Sequence, residues 1–166
     1  EVLLNFIDIK QVQRRSEEPL SDPQYTGELK FLTVGRASEE KGYDIAVQIT
    51  AELKKRGLRF KWFIIGDGRD LNKLRTMAKE YQVEQEIIFL GMRENPAPYV
   101  KSCDLYLQPS RHEGYPITIV EARSLQKVII ASDIPSMREQ IRDGENGYLC
   151  PLAVIAALKK ANNTCN

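Results

Sequence analysis

Several protein classes are disfavoured by what this sequence lacks. Its 24 basic and 23 acidic residues nearly cancel, so no overall charge favours nucleic acid as a partner. No apolar run approaches the roughly 20 residues that a membrane-spanning helix needs. The N-terminus also lacks the charged-then-apolar pattern of a signal peptide. A cytoplasmic protein is expected, and peripheral contact of a longer parent protein with the inner face of a membrane stays open.

Cysteine and histidine are scarce. The three cysteines, Cys103, Cys150 and Cys165, are odd in number and widely spaced, which argues against a disulfide framework or a zinc site. Cys103 is expected to be a small core residue. The single histidine, His112, has no neighbouring residue that would complete a metal site or a catalytic triad. A surface position is predicted for it.

Short apolar runs alternate with helical patterns from Leu29 onward. The predicted strands are residues 29–34, 60–65, 86–90, 104–108, 127–131 and 148–149. The predicted helices are residues 43–53, 71–81, 97–101, 117–125, 135–142 and 152–161. Such alternation is typical of a parallel sheet covered on both faces. The predicted fold class is α/β, a Rossmann-like doubly wound parallel sheet with helices on both faces.

The first 27 residues have a different character. Residues 2–9 look extended, and residues 10–27 are polar and contain Pro19, Pro23 and Gly27, a composition typical of a linker or surface loop. The predicted organisation is therefore a hinge, linker and surface segment over residues 1–27, followed by one ligand-binding domain over residues 28–166.

Four unusual loops follow predicted strands. They begin with Gly35-Arg36, Gly66-Asp67-Gly68, Gly91-Met92-Arg93 and residues 110–122, and they should converge on one cleft because ligands bind at the carboxyl ends of parallel strands. In the first loop, Arg36 and Lys41 could together neutralise a diphosphate; a solvated loop with ordinary surface charges is the alternative. Gly66-Asp67-Gly68 lacks the third glycine of a dinucleotide fingerprint, so a tight turn is favoured there.

Residues 110–122 hold two glutamates, Glu113 and Glu121. Eight helical residues span about 12 Å, more than the roughly 5–9.5 Å between paired glycosidase carboxylates. Two separate contacts along one extended ligand are therefore favoured over an acid/base pair. Ionised carboxylates only accept hydrogen bonds and suit sugar or ribose hydroxyls. A helix cap at Glu113 and a solvated Glu121 are the alternative, which the apolar neighbours of Glu121 disfavour.

Taken in order, these motifs resemble the donor-substrate domain of the retaining GT-B glycosyltransferases. These enzymes are the group 1 family, which is related to glycogen and sucrose synthases. The donor-substrate domain is one half of a GT-B fold. The matching segments are residues 34–36 with 40–42, 65–68, 88–91, 109–122 with a Glu-x7-Glu signature, and 143–149. Two departures suggest a subfamily and leave the donor open. Leu125-Gln126-Lys127 stands where the family usually has a glycine, and residues 133–139 lack the usual glycines.

The resemblance implies a role for each matching residue. Arg36 and Lys41 would stabilise the leaving diphosphate electrostatically, without a metal or other cofactor, and Glu113 would hold hydroxyls of the donor sugar; these three are the expected catalytic residues. Glu121 would hold the ribose. Further expected donor-binding residues are Gly35, Gly66, Phe89, Leu90, Met92, Arg93, Gly114, Tyr115, Pro116 and Ile117.

The implied reaction moves a sugar from a nucleotide-sugar, with UDP favoured, to a sugar or lipid-linked glycan with retention at the anomeric carbon. Asn5-Phe6-Ile7-Asp8 resembles the Asn-x-x-Asp that follows the interdomain hinge. The N-terminal acceptor domain is therefore expected to be absent, and the chain alone should bind nucleotide without turnover. A non-catalytic flavodoxin-like module that binds a nucleotide or phosphate in the same cleft stays open. A nicotinamide dehydrogenase is disfavoured.

Overall fold

A computed structural model of the protein describes residues 7–27 and 29–152. Six strands form one sheet in the order β3-β2-β1-β4-β5-β6, and all neighbouring pairs run parallel. The strands are β1 Lys30–Val34, β2 Lys61–Ile65, β3 Ile87–Gly91, β4 Leu105–Gln108, β5 Val128–Ser132 and β6 Tyr148–Cys150. The chain builds outward from β1 to β3 and then returns to place β4 beside β1. The predicted doubly wound α/β sheet is confirmed.

Helices cover both faces of this sheet. They are α1 Ile9–Ser16, α2 Tyr43–Lys55, α3 Leu71–Glu80, α4 Ala97–Ser102, α5 Ile117–Ser124 and α6 Pro135–Arg138, with a 3₁₀ turn at Glu39–Lys41. Successive strand residues point to opposite faces, so Phe31 packs with Tyr43 of α2 on one face and Leu32 packs with Ile119 of α5 on the other. The sheet therefore separates two hydrophobic clusters.

The N-terminal segment departs from its prediction. Residues 10–16 belong to α1, and the prediction of a linker or loop there is wrong. Asp8 caps this helix, since its side chain accepts a hydrogen bond from the Gln11 amide at 3.0 Å. The Gln13 amide donates to the Ser124 carbonyl at the end of α5 at 3.3 Å. An aspartate just before a helical turn is a typical signal for the start of a helix. The loop was predicted instead because Pro19 and Pro23 follow in the same polar segment.

Residues 17–27 are irregular, as predicted, but they are held against the sheet. The Tyr25 side chain is buried; its hydroxyl donates to the Tyr99 carbonyl at 2.9 Å and its ring lies 4.4 Å from that of Phe63. This segment therefore packs into the core that residues 29–152 build. The division of roles between residues 1–27 and 28–166 stays a prediction.

The remaining predicted elements match the structure with two qualifications at the C-terminal end. Helix α6 ends at Arg138 instead of extending to residue 142. The predicted helix over residues 152–161 lies outside the described residues except for its first position.

Two helices end with a glutamine in the left-handed conformation, Gln82 after α3 and Gln126 after α5, with φ of 55° and 57°. At the second site the Gln126 amide donates to the Arg123 carbonyl at 2.9 Å and the Lys127 amide to the Ala122 carbonyl at 3.0 Å. This pair of bonds is the Schellman motif, whose left-handed position is usually glycine. A glutamine therefore holds the left-handed position in this chain, within the segment where the resembled family usually has a glycine.

Replacing Gln126 by glycine should stabilise the fold. The left-handed conformation costs a residue with a side chain about 1–2 kcal/mol, and the greater freedom of glycine in the unfolded chain offsets part of this. Urea denaturation of Gln126→Gly should show a free energy of unfolding higher by about 0.5–1 kcal/mol. Gln126→Ala keeps the strain and should show no such gain. A destabilised glycine variant would contradict the left-handed geometry.

Candidate functional site

A cleft of about 480 Å³ opens at the carboxyl ends of β1 and β4, beside the N-terminus of α5. Two segments line it, residues 34–41 after β1 and residues 112–118 after β4. Strands β1 and β4 are neighbours whose connections lead toward opposite edges of the sheet, which is where doubly wound folds bind ligands. The cleft brings together these predicted residues: Gly35, Arg36, Lys41, Glu113, Gly114, Tyr115, Pro116 and Ile117.

An ion pair joins the two segments. Lys41 Nζ lies 2.8 Å from Glu113 Oε1 and 2.7 Å from Oε2, and the two side chains are 24% and 6% exposed. Gly42 permits the close approach, because a Cβ there would lie 2.0 Å from the Pro109 carbonyl oxygen. Its φ of 67° also requires the left-handed region that suits glycine. The expected diphosphate cation and sugar-binding carboxylate are thus paired with each other.

Two residues that the sequence did not identify also hold this carboxylate. Glu113 Oε1 accepts hydrogen bonds from Ser110 Oγ at 2.7 Å and from Gln108 Nε2 at 2.9 Å. Gln108 is the last residue of β4, and Ser110 lies three positions before Glu113. The sequence offered one signal for Gln108: it is a polar residue at the end of an otherwise apolar strand.

Arg36 contributes a cation of another kind to the cleft. Its side chain is exposed and has no ion pair or hydrogen bond in the described part of the chain. Glu40 also lines the cleft; a hydrogen bond from Ser38 lowers the pKa of the Glu40 carboxyl, so it is ionised at neutral pH. The Glu40 carboxylate forms an ion pair with Arg69, with 3.8 Å between Glu40 Oε1 and Arg69 Nη2. Arg36 is therefore a cation of this loop whose donors are all open to a ligand.

The N-terminus of α5 adds backbone donors to the same cleft. Pro116, which has no N–H, precedes the helix, and no side chain caps it. The Ile119 amide bonds to the Pro116 carbonyl at 3.0 Å, whereas the amides of Ile117 and Thr118 lack an intrahelical acceptor because of their position. Both residues line the cleft. A helix N-terminus of this kind attracts an anion.

Glu121 lies further along α5 in a different setting. Burial raises the pKa of its carboxyl, and the positive charge of Arg15 on α1 opposes that rise. Among the residues that the structure describes, none donates a hydrogen bond to this carboxylate. The Glu121 side chain is partly buried, so the prediction that it is not an ordinary solvated helix residue is confirmed. It does not line the cleft that contains Glu113.

The loop after β3 lies apart from that cleft. The Arg93 guanidinium donates to Asp22 Oδ2 at 2.8 Å and to the Tyr99 hydroxyl at 3.0 Å. It lines a separate cavity of about 430 Å³ together with residues 18–23. In this structure Arg93 therefore anchors the N-terminal segment. A base pocket formed by Phe89, Leu90, Met92 and Arg93 stays a prediction.

The loop after β2 packs beneath the loop after β1. A Cβ at Gly66 would lie 1.8 Å from the Gly35 carbonyl oxygen, so this glycine allows the backbones of the two strand exits to lie in close contact. Gly66 does not line the cleft, and its contact with a ligand stays a prediction. Of the four loops predicted to converge, those after β1 and β4 form the cleft directly.

Metal-ligand clusters and membrane-spanning helices are both absent from the described residues. Residues 7–27 and 29–152 contain no group of three or more histidine, cysteine, aspartate or glutamate side chains that could hold a metal ion. None of the helices in those ranges is both long enough and apolar enough to cross a membrane.

Comparison with known proteins finds relatives over most of this chain. The family model described as glycosyl transferases group 1 matches residues 15–164. An uncharacterized glycosyltransferase of Methanocaldococcus jannaschii is 29% identical over 154 residues, which are 90% of this chain and 36% of that protein. A Campylobacter jejuni enzyme is 28% identical over 151 residues, 90% of this chain and 39% of that enzyme. The chain thus spans a little over a third of these relatives.

The Campylobacter enzyme is named N-acetylgalactosamine-N,N'-diacetylbacillosaminyl-diphospho-undecaprenol 4-alpha-N-acetylgalactosaminyltransferase. Among solved structures, the pneumococcal O-GlcNAc transferase GtfA in complex with UDP and GlcNAc superposes with a TM-score of 0.70 and 27% identity, over 84% of this chain and 30% of that one. The Rossmann-like α/β fold, as one half of a GT-B architecture, is confirmed. With a match to 150 of its 166 residues, this chain belongs to the glycosyl transferases group 1 family.

Proposed function

We propose that this chain is the donor-binding domain of a retaining glycosyltransferase. It binds a nucleotide-sugar, with UDP-sugar favoured, in the cleft between the loop after β1 and the N-terminus of α5. The observation that carries the proposal is the Lys41–Glu113 pair, 2.7 Å apart, next to the open donors of Arg36 and α5. Cationic donors and a hydroxyl acceptor then lie side by side, as a sugar joined to a diphosphate requires.

The diphosphate would be held by three sets of donors. The Lys41 ammonium donates hydrogen bonds to both Glu113 oxygens. Because an ammonium has three N–H groups, one donor stays available for a phosphate oxygen. Arg36 adds a planar fork that suits phosphate oxygens. The Ile117 and Thr118 amides add the helix terminus. Together they would stabilise charge on the leaving diphosphate, so we propose catalysis without a metal ion or other cofactor.

The two glutamates would hold the hydroxyl-bearing parts of the donor. Glu113, next to the diphosphate cations, would accept from hydroxyls of the transferred sugar. Glu121 would accept from the ribose hydroxyls, because its partly buried carboxylate has no donor in the described part of the chain. A carboxylate without donors at such a place costs stability, and a ligand with two adjacent hydroxyls would supply the missing hydrogen bonds.

The relatives support this choice of substrates. The pneumococcal neighbour is described with UDP and GlcNAc, and the name of the Campylobacter relative specifies transfer of an amino sugar to a diphospho-undecaprenol-linked sugar. We infer a nucleotide-sugar donor and a sugar or lipid-linked glycan acceptor, and the acceptor would contact a part of the relatives that this chain does not span. We also infer that the reaction retains the configuration at the anomeric carbon. For the whole protein we infer a cytoplasmic location with peripheral contact with the membrane. Turnover should need that further part of the enzyme, and efficient glycosylation by this chain alone would contradict the proposal.

Calorimetric titration with UDP, GDP, ADP and NAD tests the proposed site. UDP should bind, and Arg36→Ala, Lys41→Ala and Glu121→Ala should each weaken it about 10- to 100-fold, since a hydrogen bond to a charged group contributes about 1.5–3 kcal/mol. Lys73→Ala is the control, because this exposed α3 lysine lies outside the residues that line the cleft.

Two results of this titration would contradict the site assignment. One is binding of NAD alone, and the other is UDP binding that tolerates all three cleft and α5 substitutions. Phosphate binding without any preference for a nucleoside would favour the non-catalytic module.

The two glutamates should have opposite effects on stability. Burial raises the pKa of the folded Glu121 carboxyl, so between its unfolded and folded pKa values the unfolded chain holds fewer protons and stability falls as pH rises. Glu121→Gln should therefore melt at a higher temperature than wild type at pH 7. The difference should vanish below about pH 4, where both states are protonated.

Glu113→Gln should instead lower the free energy of unfolding at pH 7 by about 1–3 kcal/mol, because it leaves Lys41 without its carboxylate. Thermal and urea unfolding of both variants across pH 4 to 8 measure these effects. If Glu121→Gln is destabilised throughout that range, its carboxylate makes a stabilising contact, and the assignment of an open ribose acceptor is wrong.

A further inference from the structure

A buried polar cluster lies directly beneath the Lys41–Glu113 pair. Gln108 and Ser110 are 1% and 0% exposed, so neither side chain can contact a ligand in this structure. Gln108 Nε2 donates to Ser110 Oγ at 3.0 Å and to Glu113 Oε1 at 2.9 Å, and Ser110 Oγ donates to Glu113 Oε1 at 2.7 Å. These bonds link the end of β4 to the carboxylate at the cleft.

The two oxygens of Glu113 are occupied unequally. Oε1 accepts from Gln108, Ser110 and Lys41, whereas Oε2 accepts from Lys41 alone. A carboxylate oxygen has about two lone-pair sites, so Oε1 has no room for a further donor and Oε2 does. The carboxylate is thereby held in one orientation with one oxygen available.

We propose that Gln108 and Ser110 are positioning residues that anchor Glu113 Oε1 and leave Oε2, beside Lys41, to accept a hydroxyl of the donor sugar. This inference rests on the proposed function and specifies which atom contacts the sugar. It assigns no direct ligand contact to Gln108 or Ser110, which act through Glu113.

The strand makes this anchor rigid. Gln108 pairs with Ala131 in the parallel ladder between β4 and β5, and its carbonyl accepts from Ser132 Oγ at 3.4 Å. A group supported by a central strand positions a neighbour more accurately than a loop residue does. The orientation of Glu113 is thus set before a ligand arrives.

Stability alone does not account for a glutamine here. Gln108 Oε1 is buried and has no hydrogen-bond partner in the described part of the chain. Burying an unpaired amide oxygen is unfavourable, and an apolar side chain of similar volume would avoid that loss. The amide nitrogen, which contacts Glu113, is therefore the part of the residue with a role.

Gln108→Glu tests the anchor, because the introduced carboxyl has nearly the same shape. Two carboxyls this close share one proton with a raised pKa. At pH 5 the protonated group still donates to Glu113, whereas at pH 8 both are ionised and repel each other. The dissociation constant of UDP-glucose should match wild type at pH 5 and be about tenfold weaker at pH 8. UDP alone, which has no transferred sugar, should change much less.

Other charged and titratable side chains also lie near Glu113. They are Arg36, Glu40, Lys41, Tyr43 and His112. Wild type and Gln108→Met keep all of them, so they serve as pH controls. Gln108→Met, which lacks the donor, should weaken UDP-glucose binding about tenfold at both pH values, relative to UDP.

Gln140→Glu is the matched control for burying a carboxyl. Gln140 is 6% exposed, and neither atom of its amide has a partner among the residues that the structure describes. It is outside the cleft lining. This variant should lose thermal stability as pH rises but keep the wild-type ratio of the UDP-glucose and UDP dissociation constants.

The outcomes separate this inference from the proposed function. If wild type binds UDP and UDP-glucose but Gln108→Met keeps the wild-type ratio, the positioning role is wrong and the proposed function stands. If wild type binds no nucleotide, both are wrong. If Gln108→Met does not fold, Ser110→Ala removes another donor to the same oxygen, and an unchanged ratio in that variant equally overturns the positioning role.

Discussion

The ion pair between Lys41 and Glu113 is the constraint on which the cleft depends. It joins a loop from β1 to a loop from β4, 72 positions apart in sequence, across the point where the sheet reverses its direction of growth. Gly42 allows the loops to touch, since any side chain there would meet the Pro109 carbonyl. Once the pair forms, Arg36 and the start of α5 lie on either side of one opening.

The polar groups around this opening are not arranged for greatest stability. Glu121 has a raised pKa because of burial and lacks a hydrogen-bond donor in the described part of the chain. Gln108 Oε1 is buried without a hydrogen-bond partner in the described part of the chain, while Gln108 Nε2 donates to Glu113. Pro116 leaves α5 without a side-chain cap. Each unsatisfied group costs free energy. An anionic, hydroxyl-rich ligand would compensate the α5 amides and the Glu121 carboxylate, whereas the buried Gln108 oxygen lies out of its reach.

Strands and most helices were predictable because their signals are local. The buried parallel strands are continuous apolar runs, and α2 and α3 show clear helical periodicity. The cap at Asp8 was also local, yet the nearby prolines outweighed it in the prediction. The backbone conformation of Gln126 could not be predicted for a different reason. Gln126 adopts a left-handed conformation that glutamine disfavours, and it is stabilised by the hydrogen bonds at the end of the helix.

The sequence by itself determined the α/β class, the family and the chemical types of the residues at the strand ends, because periodicity and ordered motifs are properties of the chain. Only the tertiary structure decided which of those residues meet. It pairs Lys41 with Glu113, recruits Gln108 and Ser110, and directs Arg93 to Asp22 instead. The physical reason is that side chains from distant segments approach one another only after the sheet order is set, and sequence spacing does not record that order.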